Sequence, residues 1–123
     1  MSFSNSFSVI LFADELCPFP ADAVNIGNAV FYNCTSLESV TIGDSVTTIA
    51  RYAFFGCTSL TSITIGKSVT SIGEFAFYDC TALTSISFNG TVYQWSTIGF
   101  GSNWKYGVPA TEIICSNGTV KIK

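Results

Sequence analysis

One unit of this sequence recurs three times at a fixed interval of 23 residues. Ile26, Ile49 and Ile72 open the three copies. Equivalent positions of the three copies are called columns, and several columns hold the same residue in every copy. Besides the Ile column they are a Phe column (Phe31, Phe54, Phe77), a Cys column (Cys34, Cys57, Cys80) and a Leu column (Leu37, Leu60, Leu83). A unit this short cannot bury its own apolar side chains, so successive copies must stack as the coils of a solenoid. We therefore predict a mainly β fold of about three coils, with short helical turns and a cap at each end.

Each copy divides into three sides. The pattern Leu-x-x-Val/Ile-x-Ile/Phe, as at 37–42, predicts a short strand with alternate residues facing the core. Gly43-Asp44-Ser45 supplies a turn, and 46–49 then forms a second, more irregular side. The third side, Phe-x-x-Cys, has the spacing of a single helical turn.

The parts outside the repeats are predicted to be caps within a single domain, 1–123. Residues 1–25 form the N-terminal cap and loop, in which 7–12 resembles a degenerate strand that precedes 37–42 by one period and seven inserted residues. The three repeats occupy 26–94, and 95–123 forms the C-terminal cap. There Trp95, Phe100 and Asn103 are expected in the Ile, Phe and Cys columns, followed by a hairpin around Asn117-Gly118.

Composition argues against several classes of function. The chain has no His, on which general acid-base and nucleophilic catalysis most often depend, so we predict no enzyme and no cofactor. The formal charge of -3 with only five Lys and Arg gives no cationic surface for nucleic acid. The apolar run 9–13 is too short to cross a membrane, so no spanning segment is predicted.

The five cysteines are interpreted mainly as packing residues. Parallel side chains one coil apart do not converge as zinc ligands do, and no Cys-x-x-Cys occurs, so no metal site is predicted. A disulfide between neighbouring coils would require side chains to turn away from the regular stack. Cys34, Cys57 and Cys80 are therefore expected to be buried free thiols, with Cys17 and Cys115 as the exceptions.

Two surfaces are candidates for binding. The first is the outward side of the predicted sheet, where solenoids usually present ligands. Its residues are Glu38, Ser39, Thr41, Thr61, Ser62, Thr64, Thr84, Ser85 and Ser87. The second is aromatic. It includes a column of Tyr32, Phe55 and Tyr78, a column of Ala29, Tyr52 and Phe75, and a C-terminal patch of Tyr93, Trp104 and Tyr106 that could stack on sugars.

The segments Ala-Phe-Phe-Gly-Cys-Thr-Ser-Leu-Thr-Ser-Ile-Thr-Ile at 53–65 and Ala-Phe-Tyr-Asp-Cys-Thr-Ala-Leu-Thr-Ser-Ile-Ser-Phe at 76–88 resemble the BspA-like leucine-rich repeats. The residues after Gln94 look similar to the ends of such arrays in gut-bacterial surface proteins. The resemblance implies a right-handed solenoid, exported to the cell surface, that attaches to a host or matrix protein or to another bacterial surface protein.

Three functions remain open at this point. A noncatalytic protein-binding or adhesion module of an exported surface protein is the leading hypothesis. Carbohydrate binding through the C-terminal aromatics is the second. A structural spacer, or a fragment of a longer array with no ligand of its own, is the third.

Overall fold

The chain winds into a β-solenoid of about four turns. A computed structural model describes residues 9–11, as backbone, and 25–122. One sheet has six strands in the order β1-β3-β5-β7-β9-β10, and the other has four in the order β2-β4-β6-β8. The elements are β1 Val9–Leu11, β2 Asn25–Ile26, β3 Ser39–Ile42, β4 Thr48–Ile49, β5 Ser62–Ile65, β6 Ser71–Ile72, β7 Ser85–Phe88, α1 Val92–Ser96, β8 Gly99–Phe100, β9 Glu112–Cys115 and β10 Gly118–Lys121. The predicted mainly β leucine-rich-repeat solenoid is confirmed.

The central strands β3, β5 and β7 are parallel and keep the 23-residue register, with Ser39 opposite Ser62 and Ser62 opposite Ser85. Their apolar residues are buried and their hydroxyl residues are half-buried or exposed, as the alternation predicts. The predicted irregular second side also forms parallel strands, each two residues long, which make up the four-stranded sheet.

The first strand differs from the expected degenerate coil. Within 7–12 the structure describes β1, which pairs with β3 in the antiparallel sense, with Val9 opposite Ile42 and Leu11 opposite Val40. A strand placed one period before 37–42 would have been parallel. An antiparallel strand ends the sequence of parallel coils at this edge of the six-stranded sheet.

The third side is a series of turns and not a helical turn. Left-handed backbone recurs at two positions of every coil, namely Ala29, Tyr52, Phe75, Asn103 and Asn33, Gly56, Asp79, Gly107. These residues prevent a helix, because an L-residue helix needs consecutive right-handed residues. They also direct alternate N–H groups at the next coil, where they find backbone carbonyls.

The fourth coil follows the third after 28 residues instead of 23, because Phe100 pairs with Ile72. The five-residue helix α1 lies between β7 and β8 and accounts for the difference. The predicted columns for this coil were therefore wrong. Phe100 stands in the Ile column, Lys105 in the Phe column and Val108 in the Cys column, whereas Trp95 belongs to α1.

The predicted C-terminal hairpin is present, with its two-residue turn at Ser116–Asn117, one residue earlier than expected. Strand β9 pairs in parallel with β7, so the hairpin covers that edge of the six-stranded sheet. The turn is also tied to α1, because the N–H of Val92 donates to Oδ1 of Asn117 at 2.9 Å. Since Thr91 and Gln94 form a capping box, α1 starts at a defined residue.

Candidate protein-binding surfaces

The cysteine column is structural in the interior of the stack. The thiols of Cys57 and Cys80 are fully buried and donate to the carbonyls of Phe31 and Phe54, at 3.1 and 3.0 Å. The side-chain hydrogen bond to Cys57 and burial raise the pKa of Cys80. A thiol held protonated is a poor nucleophile, which argues against Cys80 as a nucleophile. The prediction of buried free thiols is confirmed for this pair.

The prediction was wrong for Cys34, and it left the redox state of Cys115 open. Cys34 is half-buried in the first coil and is disulfide-bonded. Cys115, expected to be an exception, is a buried free thiol whose pKa is raised by burial. Cys17 lies outside the described residues. Position in the stack therefore decides the state of each thiol more than membership of the repeat does.

The sheet-face candidates form short ladders on neighbouring strands. Ser39, Ser62 and Ser85 lie in one row, and Thr41, Thr64 and Ser87 in another. Each of these side chains is half-buried or exposed. At the start of the strands, Glu38, Thr61 and Thr84 are exposed, and the Thr61 hydroxyl donates to the Glu38 carbonyl at 3.1 Å. This face is flat, rich in hydroxyl groups and carries little charge.

The proposed C-terminal aromatic patch is not a single surface. Trp104 is 9% exposed and packs against Phe77, Phe100 and Trp95, with ring centroids 6.2, 4.7 and 6.1 Å away. It therefore closes the end of the core and cannot present its ring to a ligand. Tyr93 is 75% exposed on α1, and Tyr106 is 58% exposed on the fourth coil.

Tyr106 instead continues the outer aromatic column. Tyr32, Phe55, Tyr78 and Tyr106 form one stack with successive ring centroids 4.8, 5.0 and 4.9 Å apart. The rings are close to parallel, within 3°, 2° and 15°. Sequence reasoning placed the first three in a column but missed the fourth, because the helix α1 shifts it by five residues. If the five residues of the inserted helix are left out of the count, the 23-residue spacing leads from Tyr78 to Tyr106.

A second column lies beside the first. Tyr52 and Phe75 stack at 5.2 Å, and each also meets a ring of the outer column at a steep angle, Tyr52 with Phe55 and Phe75 with Tyr78. The six rings Tyr32, Tyr52, Phe55, Phe75, Tyr78 and Tyr106 are called the aromatic strip below. Ala29 and Asn103 occupy the ends of the second column and add no ring.

One ion pair lies next to the aromatic strip. Arg51 and Glu74 form an ion pair of 2.7 Å with side chains 53% and 38% exposed, and the Arg51 guanidinium lies 5.8 Å from the centre of the Tyr52 ring. An ion pair this exposed adds little to stability. It leaves the strip mainly apolar, with polar groups at its border.

Other site types find little support in the described part of the chain. Residues 25–122 hold no group of three His, Cys, Asp or Glu side chains that could bind a metal ion. Among these residues no helix has the length and apolar character needed to cross a membrane.

Comparison with protein families gives a clear assignment. The family described as BspA type leucine rich repeat region (6 copies) matches residues 14–106 of the 123. The chain belongs to the BspA-type leucine-rich-repeat family. Proteins of this family are generally bacterial surface proteins, and a leucine-rich-repeat solenoid is typically a noncatalytic scaffold for interaction. No curated protein and no solved structure matched the chain.

Proposed function

We propose that this BspA-type repeat chain is a noncatalytic adhesion module of an exported bacterial surface protein, which binds a host or matrix protein or another bacterial surface protein through the aromatic strip. The observation that carries the proposal is the strip itself. Its outer column crosses all four coils, and its two end rings, Tyr32 and Tyr106, are 46% and 58% exposed. A contiguous aromatic surface with a polar border is typical of protein interfaces.

The rigidity of the strip favours tight binding. The inner rings Phe55 and Tyr78 are held between neighbours on adjacent coils and each end ring stacks on one neighbour, so the strip loses little conformational freedom when a partner covers it. Tyr side chains add a hydroxyl at the border of a large apolar area, which is why they are frequent in paratopes. Glu38, Thr61 and Thr84 are exposed and lie between the third side and the strands along the chain, and we propose that they add polar contacts to the partner.

Export is supported by the disulfide at Cys34. Structural disulfides persist in oxidising compartments such as the cell exterior and are rare in a reducing cytosol. The low share of charged residues, 11%, agrees with an extracellular module. Extracellular location on the cell surface is therefore part of the proposal.

The test is a panel of purified host matrix proteins and a glycan array, probed with the wild type and three matched variants. Tyr32→Ala combined with Tyr106→Ala removes the exposed ends of the strip. Thr61→Lys combined with Thr84→Lys changes the sheet side, and Tyr93→Ala removes the exposed aromatic of α1. We expect binding to at least one protein, weakened about tenfold or more by the strip variant, because the loss of two exposed aromatic anchors costs about 1.4 kcal/mol or more.

The variants separate the alternatives. A glycan signal lost in Tyr93→Ala would support carbohydrate binding and count against our proposal. Loss of protein binding only in the lysine variant would move the site to the sheet face. Circular dichroism of each variant checks that the fold is retained.

A further inference from the structure

The backbone of the third side forms a ladder that repeats from coil to coil. In every interface between coils, three N–H groups at alternate positions donate to three carbonyls of the following coil, with N···O distances from 2.6 to 3.1 Å. The pairs are Ala29, Phe31, Asn33 to Arg51, Ala53, Phe55; Tyr52, Phe54, Gly56 to Glu74, Ala76, Tyr78; and Phe75, Phe77, Asp79 to Ser102, Trp104, Tyr106. The same donors therefore recur at the same places.

In the fourth coil the equivalent donors are the N–H groups of Asn103, Lys105 and Gly107. Within 25–122 none of them donates to a backbone carbonyl. Asn103 and Gly107 keep the left-handed backbone of their equivalents, with φ of 55° and 85°. Their donors are thus aimed at the space where a fifth coil would lie. Asn103, Trp104, Lys105 and Tyr106 line an open cleft there.

On the opposite side of this end, the next layer is already filled. Strand β10 is paired with β9, one strand beyond the fourth coil, and it runs antiparallel. The end of the solenoid is therefore a step one strand deep, with β10 on the sheet side and the three free donors on the turn side. A single polypeptide segment fits a step of this depth, since neighbouring strands lie about 4.8 Å apart.

A second copy of the solenoid does not fit this step. The other end of the six-stranded sheet is also occupied by an antiparallel strand, β1 on β3. Head-to-tail stacking would bring β10 of one copy against β1 of the next before the turn segments came within hydrogen-bonding distance. The two strands thus limit end-to-end polymerisation through this sheet.

We propose that the step binds an extended segment of a partner polypeptide by backbone augmentation. Carbonyls at alternate positions of the segment accept from the N–H groups of Asn103, Lys105 and Gly107, and an aromatic side chain of the segment stacks on Tyr106. This mode of recognition resembles the addition of a strand to a sheet edge. The site shares Tyr106 with the aromatic strip but uses the open end of the stack and its backbone donors, so it goes beyond the function proposed above.

Two of the three internal interfaces, in which Ala53 and Ala76 supply the middle carbonyl, indicate which segment the step prefers. Where the third coil covers the second, the carbonyls come from Glu74, Ala76 and Tyr78, and the Tyr78 ring stacks on Phe55. The expected motif is therefore a small residue two positions before an aromatic one. Acidic flanks are favoured because Lys105 lies in the cleft.

The probe is a blocked hexapeptide with the sequence Glu-Phe-Ala-Phe-Tyr-Asp, which is that of residues 74–79. It is titrated into the full chain labelled with ¹⁵N. We expect saturable downfield shifts and slowed hydrogen exchange at the amides of Asn103, Lys105 and Gly107. A control peptide with Ala in place of Tyr should bind about tenfold more weakly, because it cannot extend the ring stack.

Variants of the protein sharpen the test. Tyr106→Ala is expected to weaken the probe about tenfold, and Tyr106→Phe to restore its affinity, because stacking needs the ring and not the hydroxyl. Tyr32→Ala removes the other end ring of the aromatic strip and should leave probe binding unchanged. A strip that failed as an adhesion surface would thus leave this result intact.

Three outcomes would overturn the proposal. They are an absence of saturable shifts at the highest soluble peptide concentration, shifts that omit the three amides, and an affinity that Tyr106→Ala does not lower. The amide spectrum of each variant, compared with that of the wild type, shows whether its fold is retained.

Discussion

Two neighbouring phenylalanines allow the contribution of burial to be separated from that of ring stacking. Phe54 stacks between Phe31 and Phe77 at 5.1 and 5.2 Å. Phe55 stacks between Tyr32 and Tyr78 at 4.8 and 5.0 Å. Each therefore has two near-parallel ring neighbours. Phe54 is fully buried, whereas Phe55 is half-buried on the surface and also meets the Tyr52 ring at 5.5 Å and a 60° angle.

We expect Phe54→Ala to lower the free energy of unfolding by about 4 kcal/mol, within the range for emptying a buried Phe site. Phe55→Ala should lower it by about 2 kcal/mol, because it loses its ring pairs with Tyr32, Tyr52 and Tyr78, of about 0.5 to 1.5 kcal/mol each, but leaves no enclosed cavity. The excess for Phe54 is the cost of the cavity and of the lost apolar burial. A loss of about 4 kcal/mol is a large part of the stability of a small domain.

Urea unfolding followed by circular dichroism measures both values. At a slope of about 2 kcal/mol/M, the midpoints should fall by about 2 M for Phe54→Ala and about 1 M for Phe55→Ala. If Phe54→Ala does not fold, Phe54→Leu keeps most of the volume and should cost about 1 kcal/mol. Equal losses for the two Ala variants would refute the reasoning, since stacking would then outweigh burial.

Three further changes have expected outcomes. Gly66→Ala should cost about 2 kcal/mol or more, because its Cβ would collide with the Gly43 carbonyl, whereas Gly99→Ala, with no described atom within 4 Å of its Cβ, should change the melting temperature little. Because the pKa of Cys80 is raised in the folded chain, the thiol of the unfolded chain ionises at lower pH. The free energy of unfolding is therefore unaffected by the ionisation of Cys80 below its ordinary pKa of 9.0 and falls as the pH rises above that value. Urea midpoints between about pH 7.5 and 9.5 should therefore fall more for the wild type than for Cys80→Ala. Thr91→Ala removes a capping box and should cost about 1 kcal/mol, measured by the same unfolding assay.

Local sequence signals were sufficient for the interior of the stack. Alternating apolar residues and glycine-containing turns determine which side chains of 37–42 and its copies face inward, and a constant 23-residue spacing then aligns them. The Ile, Phe and Leu columns are buried as expected for this reason. The absence of His, on which the argument about catalytic residues rests, was also evident from the sequence.

The ends of the stack were decided by tertiary structure, because there the register depends on hydrogen bonds between distant residues. The pairing of Phe100 with Ile72 sets a 28-residue spacing that the sequence pattern alone did not show. That register places Tyr106 on the Tyr78 ring and turns Trp104 into the core, so of these two only Tyr106 remains exposed. The sequence thus determined what one coil is and how it repeats. Only the folded chain decided where the repeats end and which groups are left open there.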